Sequence, residues 1–196
     1  KFWSSIEEKI YKLLDVYASQ TNKIDKIKRH LFVDEISNGF TFIDICRKKY
    51  DVILMNPPFG NPTTSSTSSI RLDFPKAKDN LLIAFIERFF LLLERDGKLG
   101  AITDRSWINK KYYEAFRKDF VLAKDSLEIW VDLGWGVLDA NVEVAAQIHS
   151  SSNFQTFFLN ISEQKEKEEA LMEASKNKSS YFVHSLSSFS NFPGTS

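Results

Sequence analysis

The sequence predicts an α/β fold, a three-layer sandwich on a mostly parallel sheet with one antiparallel strand near Val142. Three observations predict it. Val52-Ile-Leu-Met55 is a continuous apolar run bounded by turn formers, the pattern of an inner strand of a parallel sheet. Residues 80–103 read as an apolar helix, a stop at Gly97 and a second buried strand over 99–103. Residues 127–133 and 142–148 are two more apolar runs, placed as a strand and its antiparallel neighbour, with another strand over 154–161.

The remaining elements follow from spacing and punctuation. Phe2, Ile6, Ile10, Leu13, Leu14 and Tyr17 recur at helical intervals with charges between them, so 2–17 reads as a helix. Ile24, Ile27 and Leu31 extend a second, short helix beyond Thr21-Asn22. Phe40-Thr-Phe-Ile-Asp-Ile45 reads as a strand leading toward the 52–55 run. Residues 60–69, Gly-Asn-Pro-Thr-Thr-Ser-Ser-Thr-Ser-Ser, are small, polar and turn-rich, and read as a loop. Asp79 or Asn80 is placed to cap the next helix, which runs through Arg95. Residues 112–121 read as another helix, and 163–178 as a charged surface helix or linker rich in glutamate and lysine.

Composition excludes several classes of function. The 196 residues are 43% hydrophobic and include seventeen phenylalanines, which suits one main domain with an aromatic core. One cysteine, Cys46, excludes an internal disulfide and fits a reducing, cytoplasmic setting. Arg47, Lys48 and Lys49 adjoin it, yet it reads as a core or surface thiol rather than a nucleophile. No apolar stretch reaches membrane-spanning length, since Glu87 and Arg88 interrupt the longest one, and no secretory segment is visible. Basic and acidic residues number 26 each, whereas an isolated DNA-binding module is usually basic. Any grip on DNA is therefore expected to be local or to lie outside this sequence. The clusters Lys23-Lys26-Lys28-Arg29 and Lys110-Lys111-Arg117-Lys118 read as solvated helix faces. His30, His149 and His184 share no ligand spacing with one another or with Cys46, so no metal site is expected. No Gly-x-Ser-x-Gly elbow is present.

The chemistry concentrates where the 52–55 run stops, at Asn56-Pro57-Pro58-Phe59. Neither proline offers a ladder N–H and both fix φ, so the strand cannot continue. A residue before proline is driven to extended backbone, which presents the Asn56 amide beyond the carboxyl end of the strand, where open α/β sheets keep their ligands. The Asn56 amide oxygen and the Pro57 carbonyl can accept both hydrogens of a planar exocyclic amine, while Phe59 stacks on the ring that carries it. Such an amine is a poor nucleophile because its lone pair is shared with the ring. Two fixed acceptors favour the pyramidal amine and aim its lone pair at an electrophilic methyl group. Pro58 stiffens the bend at little entropic cost.

At these residues the chain resembles the S-adenosylmethionine-dependent DNA N6-adenine methyltransferases with an Asn-Pro-Pro-Phe motif. The segments Asn80 to Thr103, Asp104-Arg105-Ser106-Trp107 and Leu133 to Gln147 are similar to parts of the large restriction-type (Type IIG and Type I-like) and bacteriophage-exclusion adenine methyltransferases. The resemblance runs from about Leu31 to the end. It implies a Rossmann-like methyltransferase fold, S-adenosylmethionine as cofactor, and double-stranded DNA with a flipped adenine as substrate, in a restriction-modification or phage-defence system with partner subunits. By the same resemblance Asn56 and Pro57 accept the N6 hydrogens, Pro58 fixes the turn and Phe59 stacks the base. Asp44 falls where the family often has an acidic residue on the cofactor's adenine, and Leu138 where relatives often carry a phenylalanine against the target base.

The blander reading makes Asn-Pro-Pro a simple stop with Phe59 packed in the core. Methylation of an RNA base or a protein glutamine, and a degenerate fragment acting as a DNA-binding or scaffold module, are the functional rivals. A cofactor site of this class needs a glycine-rich strand-to-helix turn, and only Gly39 precedes Asn56. Gly134-Trp135-Gly136 lies too late for it. The chain opens at Lys1 without an initiator methionine, so it is expected to be an internal piece whose first strands lie upstream. The expected organisation is a helical segment over 1–30, the C-terminal part of a catalytic domain over 31–161, and a charged helix and linker over 162–196 leading toward a target-recognition region.

Overall fold

A computed structural model of the chain describes residues 8–14, 16, 23–77, 80–139, 141–150, 155–177 and 182–184. The chain falls into two units, Lys1–Lys48 and Lys49–Ser196. In the first, residues 8–14 and 16 are helical, and the rest of the helix expected over 2–17 lies outside the described residues. Helix α1 spans Lys23–Arg47 and takes in residues 40–45, where a strand was expected. Propagating a helix already begun adds a hydrogen bond for each residue ordered, and a six-residue alternation is too short to oppose it. Phe40 also finds a partner there, its ring centroid 5.6 Å from that of Tyr11. The Thr41 hydroxyl donates back to the Ser37 carbonyl at 2.9 Å, as helical threonines do.

The second unit is built on six strands: β1 Tyr50–Met55, β2 Leu93–Asp104, β3 Leu127–Gly134, β4 Val144–Ser150, β5 Thr156–Asn160 and β6 Phe182–His184. Their order is β1-β2-β4-β3-β5-β6. The pairs β1/β2 and β3/β5 are parallel, and β4 runs antiparallel between β2 and β3. The predicted α/β class and the antiparallel strand are both observed. Strand β6 was not anticipated; it pairs antiparallel with β5.

Two helices border β1 and its partner. Helix α2, Thr64–Asp73, occupies most of the segment read as a loop. It starts on the Thr63 carbonyl, which accepts from the Ser66 and Thr67 N–H groups at 3.0 Å, and Ile70 and Phe74 hold its far end to the core. Tertiary packing thus overrides a weak local propensity. Helix α3, Leu81–Phe90, buries Leu82, Ile83, Ala84 and Ile86 but stops five residues short of Arg95. Leu92 and Leu93 are buried, the Leu92 carbonyl accepts from Tyr50 N–H at 2.9 Å, and Asp96 adopts φ 67°. Residues 93–98 therefore open β2 through an irregular register rather than close a helix.

The sheet buries one face under α3 and the segment that follows β2. That segment comprises 3-10 turns at Arg105–Ile108 and Lys111–Tyr113, a single α turn, α4, at Glu114–Phe116 and a π-helical stretch at Arg117–Leu122. Trp107, 1% exposed, meets Phe116 and Trp130 edge-on at 5.3 and 5.0 Å. The opposite face is covered at the β3/β5 side, where helix α5, Lys167–Lys176, packs Ala170, Leu171 and Ala174 near Val131, Leu133, Val144 and Ile161. At the β1 side that face is open. Among the described residues β1 pairs with β2 alone, so the run read as an inner strand is an end strand here. Ile53 and Met55 join the core, whereas Val52 and Leu54 are 59% and 80% exposed.

Candidate functional site

The carboxyl ends of β1, β2 and β3 lie along one edge of the sheet, because the two parallel pairs are joined through β4. Met55 pairs with Ala101, and Asp104 and Gly134 both pair with Val144. Asn56 continues directly from this register and is exposed. It borders a groove of about 510 Å³ on the open sheet face, lined by Leu54, Gly100, Ile102, Val131 and Ile148. Pro57 is buried, while Pro58 is exposed and Phe59 is 40% exposed. The bend is held at both ends. Met55 is paired in the sheet, and the Gly60 carbonyl accepts from the Leu81 N–H, in the first turn of α3, at 3.1 Å.

Asn80 stands at the N-cap of α3 without capping it through its side chain. Its Nδ2 instead donates to the Tyr113 hydroxyl at 2.8 Å. The Asn80 Oδ1 is buried without a partner among the described residues. Burial raises the Tyr113 pKa, and the charge of Asp104 adds to it, so the phenol stays protonated. This link was not foreseen, since Asn80 carried only a capping role in the sequence.

A second network stands at the ends of β2 and β3. Arg105 Nη1 donates to both Asp132 oxygens, at 3.0 and 2.8 Å, and Nη2 to Glu143 Oε1 at 2.6 Å. The Arg105 N–H donates to the Glu143 carbonyl at 3.1 Å, and Asp132 Oδ1 accepts from Gly134 N–H at 3.1 Å. The hydrogen bonds to Asp132 and the two carboxylate charges raise the guanidinium pKa, against the opposing effect of burial. A charged residue inside the apolar run 127–133 was the signal for Asp132. Asp104 accepts from Ser106 N–H at 2.6 Å and so starts the turn that carries Arg105.

The loop from Gly134 to Val144 places its apolar residues on two sides. Val137 and Leu138 are half-buried against the Val131, Leu133 and Val144 cluster, while Trp135 is 54% exposed. Asp44 lies in the last turns of α1, where its carbonyl accepts from Lys48 N–H at 2.9 Å, and not at a strand end as expected. The alternation of residues 40–45 that suggested the strand also produced that misplacement. His149 is fully buried beside Ser126 Oγ, at 3.2 Å, and burial lowers its pKa to about 3. Among the described residues no group of His, Cys, Asp and Glu is arranged to hold a metal ion, and no helix is long and apolar enough to cross a membrane.

The family described as Eco57I restriction-modification methylase matches residues 3–136. No curated protein matches the chain. Similar solved structures include a type I restriction-modification methyltransferase subunit from Streptococcus thermophilus, with a TM-score of 0.58 at 15% identity over 71% of this chain and 35% of that one. A putative class I S-adenosylmethionine-dependent methyltransferase from Listeria monocytogenes has a TM-score of 0.51 at 13% identity, covering 66% of this chain and 43% of that one. The ATP-dependent Type ISP restriction-modification enzyme LlaBIII, bound to DNA, has a TM-score of 0.52 at 15% identity, over 82% of this chain and 12% of that one. At these identities the likeness is one of fold, and it is the class I methyltransferase fold. The chain spans about a third of the length of the type I subunit it resembles.

Proposed function

Since the chain belongs to the Eco57I restriction-modification methylase family, we propose that it carries the acceptor side of a methyl-transfer site acting on adenine N6 in DNA. One observation carries the reading: the Asn56 amide is exposed at the carboxyl end of β1, on a bend clamped at both ends and followed by the exposed ring of Phe59. In this reading a flipped adenine stacks on Phe59 and donates its two N6 hydrogens to Asn56 Oδ1 and the Pro57 carbonyl. The buried Pro57 and the Gly60 to Leu81 bond keep both acceptors in place, so little reorganisation remains when the amine becomes pyramidal. S-adenosylmethionine, the methyl donor of this reading, supplies an electrophilic methyl group. The N6 lone pair forms the new bond and the surplus proton leaves to solvent.

The described residues do not form a cradle for that donor. Gly39 lies inside α1, Gly97 and Gly100 lie in β2, and Gly134 and Gly136 follow β3, so none makes a strand-to-helix turn. The carboxylate of Asp44 sits on a helix, and no binding role is derived for it. The partners of this reading are double-stranded DNA and other restriction-modification or phage-defence subunits. Incubating the full protein with methyl-labelled S-adenosylmethionine and unmodified bacterial DNA tests it: label on adenine N6 is the expected result. Label on RNA or on protein glutamine would replace the substrate, and no transfer at all would favour a scaffold role.

A further inference from the structure

Trp135 is the exposed aromatic of the loop that leaves β3, at 54% exposure, and no described residue stacks on it. Glycines on both sides adopt left-handed backbone, Gly134 at φ 67° and Gly136 at φ 78°. A Cβ on Gly134 would lie 2.8 Å from the Ser162 Cβ, so the chain leaves β3 in a direction that only glycine permits there. The base of the loop is fixed, because Arg105 ties Asp132 at its start to Glu143 at its end. A large apolar ring is thus lifted into solvent from a rigid support, where burial would ordinarily be favoured.

Its position relative to the acceptor bend is set by the sheet. β3 and β1 run in the same direction with β2 and β4 between them, so Trp135 and Phe59 rise from one edge about 14 Å apart, three strand spacings. Two inward-reaching aromatic side chains with a base between them span that gap. Leu138 and Val137 are turned into the Leu133 and Val144 cluster, leaving the indole as the aromatic surface this loop offers.

We propose that Trp135 forms the second stacking face for the target base, opposite Phe59. The inference rests on the adenine-transfer reading given above. It makes Trp135 a substrate-positioning residue that acts on binding of the extruded base. The test uses the full protein, with the target adenine first mapped from label incorporated into DNA and then replaced by 2-aminopurine, which brightens when unstacked and is quenched on an indole. Trp135→Ala is expected to raise the KM for DNA roughly tenfold to a hundredfold, the range of losing one base-aromatic stack. Its kcat should change less. Emission of 2-aminopurine in the complex is expected to rise in Trp135→Ala and to be largely quenched again in Trp135→Phe.

Asn56→Ala is run in parallel to separate the two claims. Unchanged KM and unchanged 2-aminopurine emission in Trp135→Ala, with transfer lost in Asn56→Ala, would overturn the role of Trp135 and leave the acceptor site standing. Absence of wild-type transfer to DNA would overturn both. Because the indole is exposed, Trp135→Ala should melt like the wild type; a large drop in melting temperature would assign the residue to stability and sink the proposal.

Discussion

The backbone N–H of Leu81 donates to the carbonyl of Gly60 at 3.1 Å, so the first turn of α3 holds the far end of the Asn56-Pro57-Pro58-Phe59 bend. The anchor is itself supported one residue earlier, where Asn80 reaches Tyr113.

Tyr113→Phe removes the oxygen that accepts from Asn80 Nδ2 and leaves that part-buried amide without this partner. Such a loss costs about 1–3 kcal/mol. Urea unfolding of the variant should show a destabilisation in that range with an unchanged m-value. A change below about 0.5 kcal/mol, the scatter of ordinary surface substitutions, would mean the link does not support the helix start.

Arg105→Ala leaves Asp132 and Glu143 without their shared cation at the ends of β3 and β4. All three side chains keep between a fifth and a third of their exposure, so solvent screening holds the expected loss to about 1–2 kcal/mol. Arg105→Lys is expected to recover little, because a single ammonium cannot reproduce the fork that meets both oxygens of Asp132. Equal thermal stability of the lysine variant and the wild type would contradict the geometry.

His149 should make stability depend on pH. Its folded pKa, lowered to about 3 by burial, lies below the ordinary value of 6.5, so the unfolded chain takes up the proton first. The stability present above pH 6.5 is therefore lost as pH falls from 6.5 toward 3, at up to about 1.4 kcal/mol per pH unit. Urea unfolding between pH 7 and pH 5 should show this slope in the wild type, reduced in His149→Gln. Identical slopes would show that the imidazole is not held neutral in the core.

Much of this was legible in the sequence, for reasons that particular residues show. The residues Leu127 to Gly134 and Val144 to Ser150 were read correctly as an antiparallel pair because burial on both faces leaves an almost unbroken apolar run. The stop at Asn56 was equally clear, since two prolines end a strand whatever surrounds them. Residues 40–45 misled because alternation over so few positions does not separate a strand from part of a long helix. Residues 64–73 misled because their helix rests on contacts of Ile70 and Phe74 that are not local. The couplings of Asn80 to Tyr113 and of Arg105 to Asp132 and Glu143 join residues 27 to 38 positions apart, and no spacing rule reveals such pairs.

The most direct measurement is the rate of methyl transfer from labelled S-adenosylmethionine to DNA by the full protein, wild type against Asn56→Ala, with melting temperatures recorded for both. Asn56 is exposed, so its truncation should leave the fold intact while removing one of two acceptors for the amine. Loss of one such group typically costs about a hundredfold to a thousandfold in kcat, and a fall of that size without a change in melting temperature is the predicted result. Undiminished transfer by a well-folded Asn56→Ala protein would contradict the account.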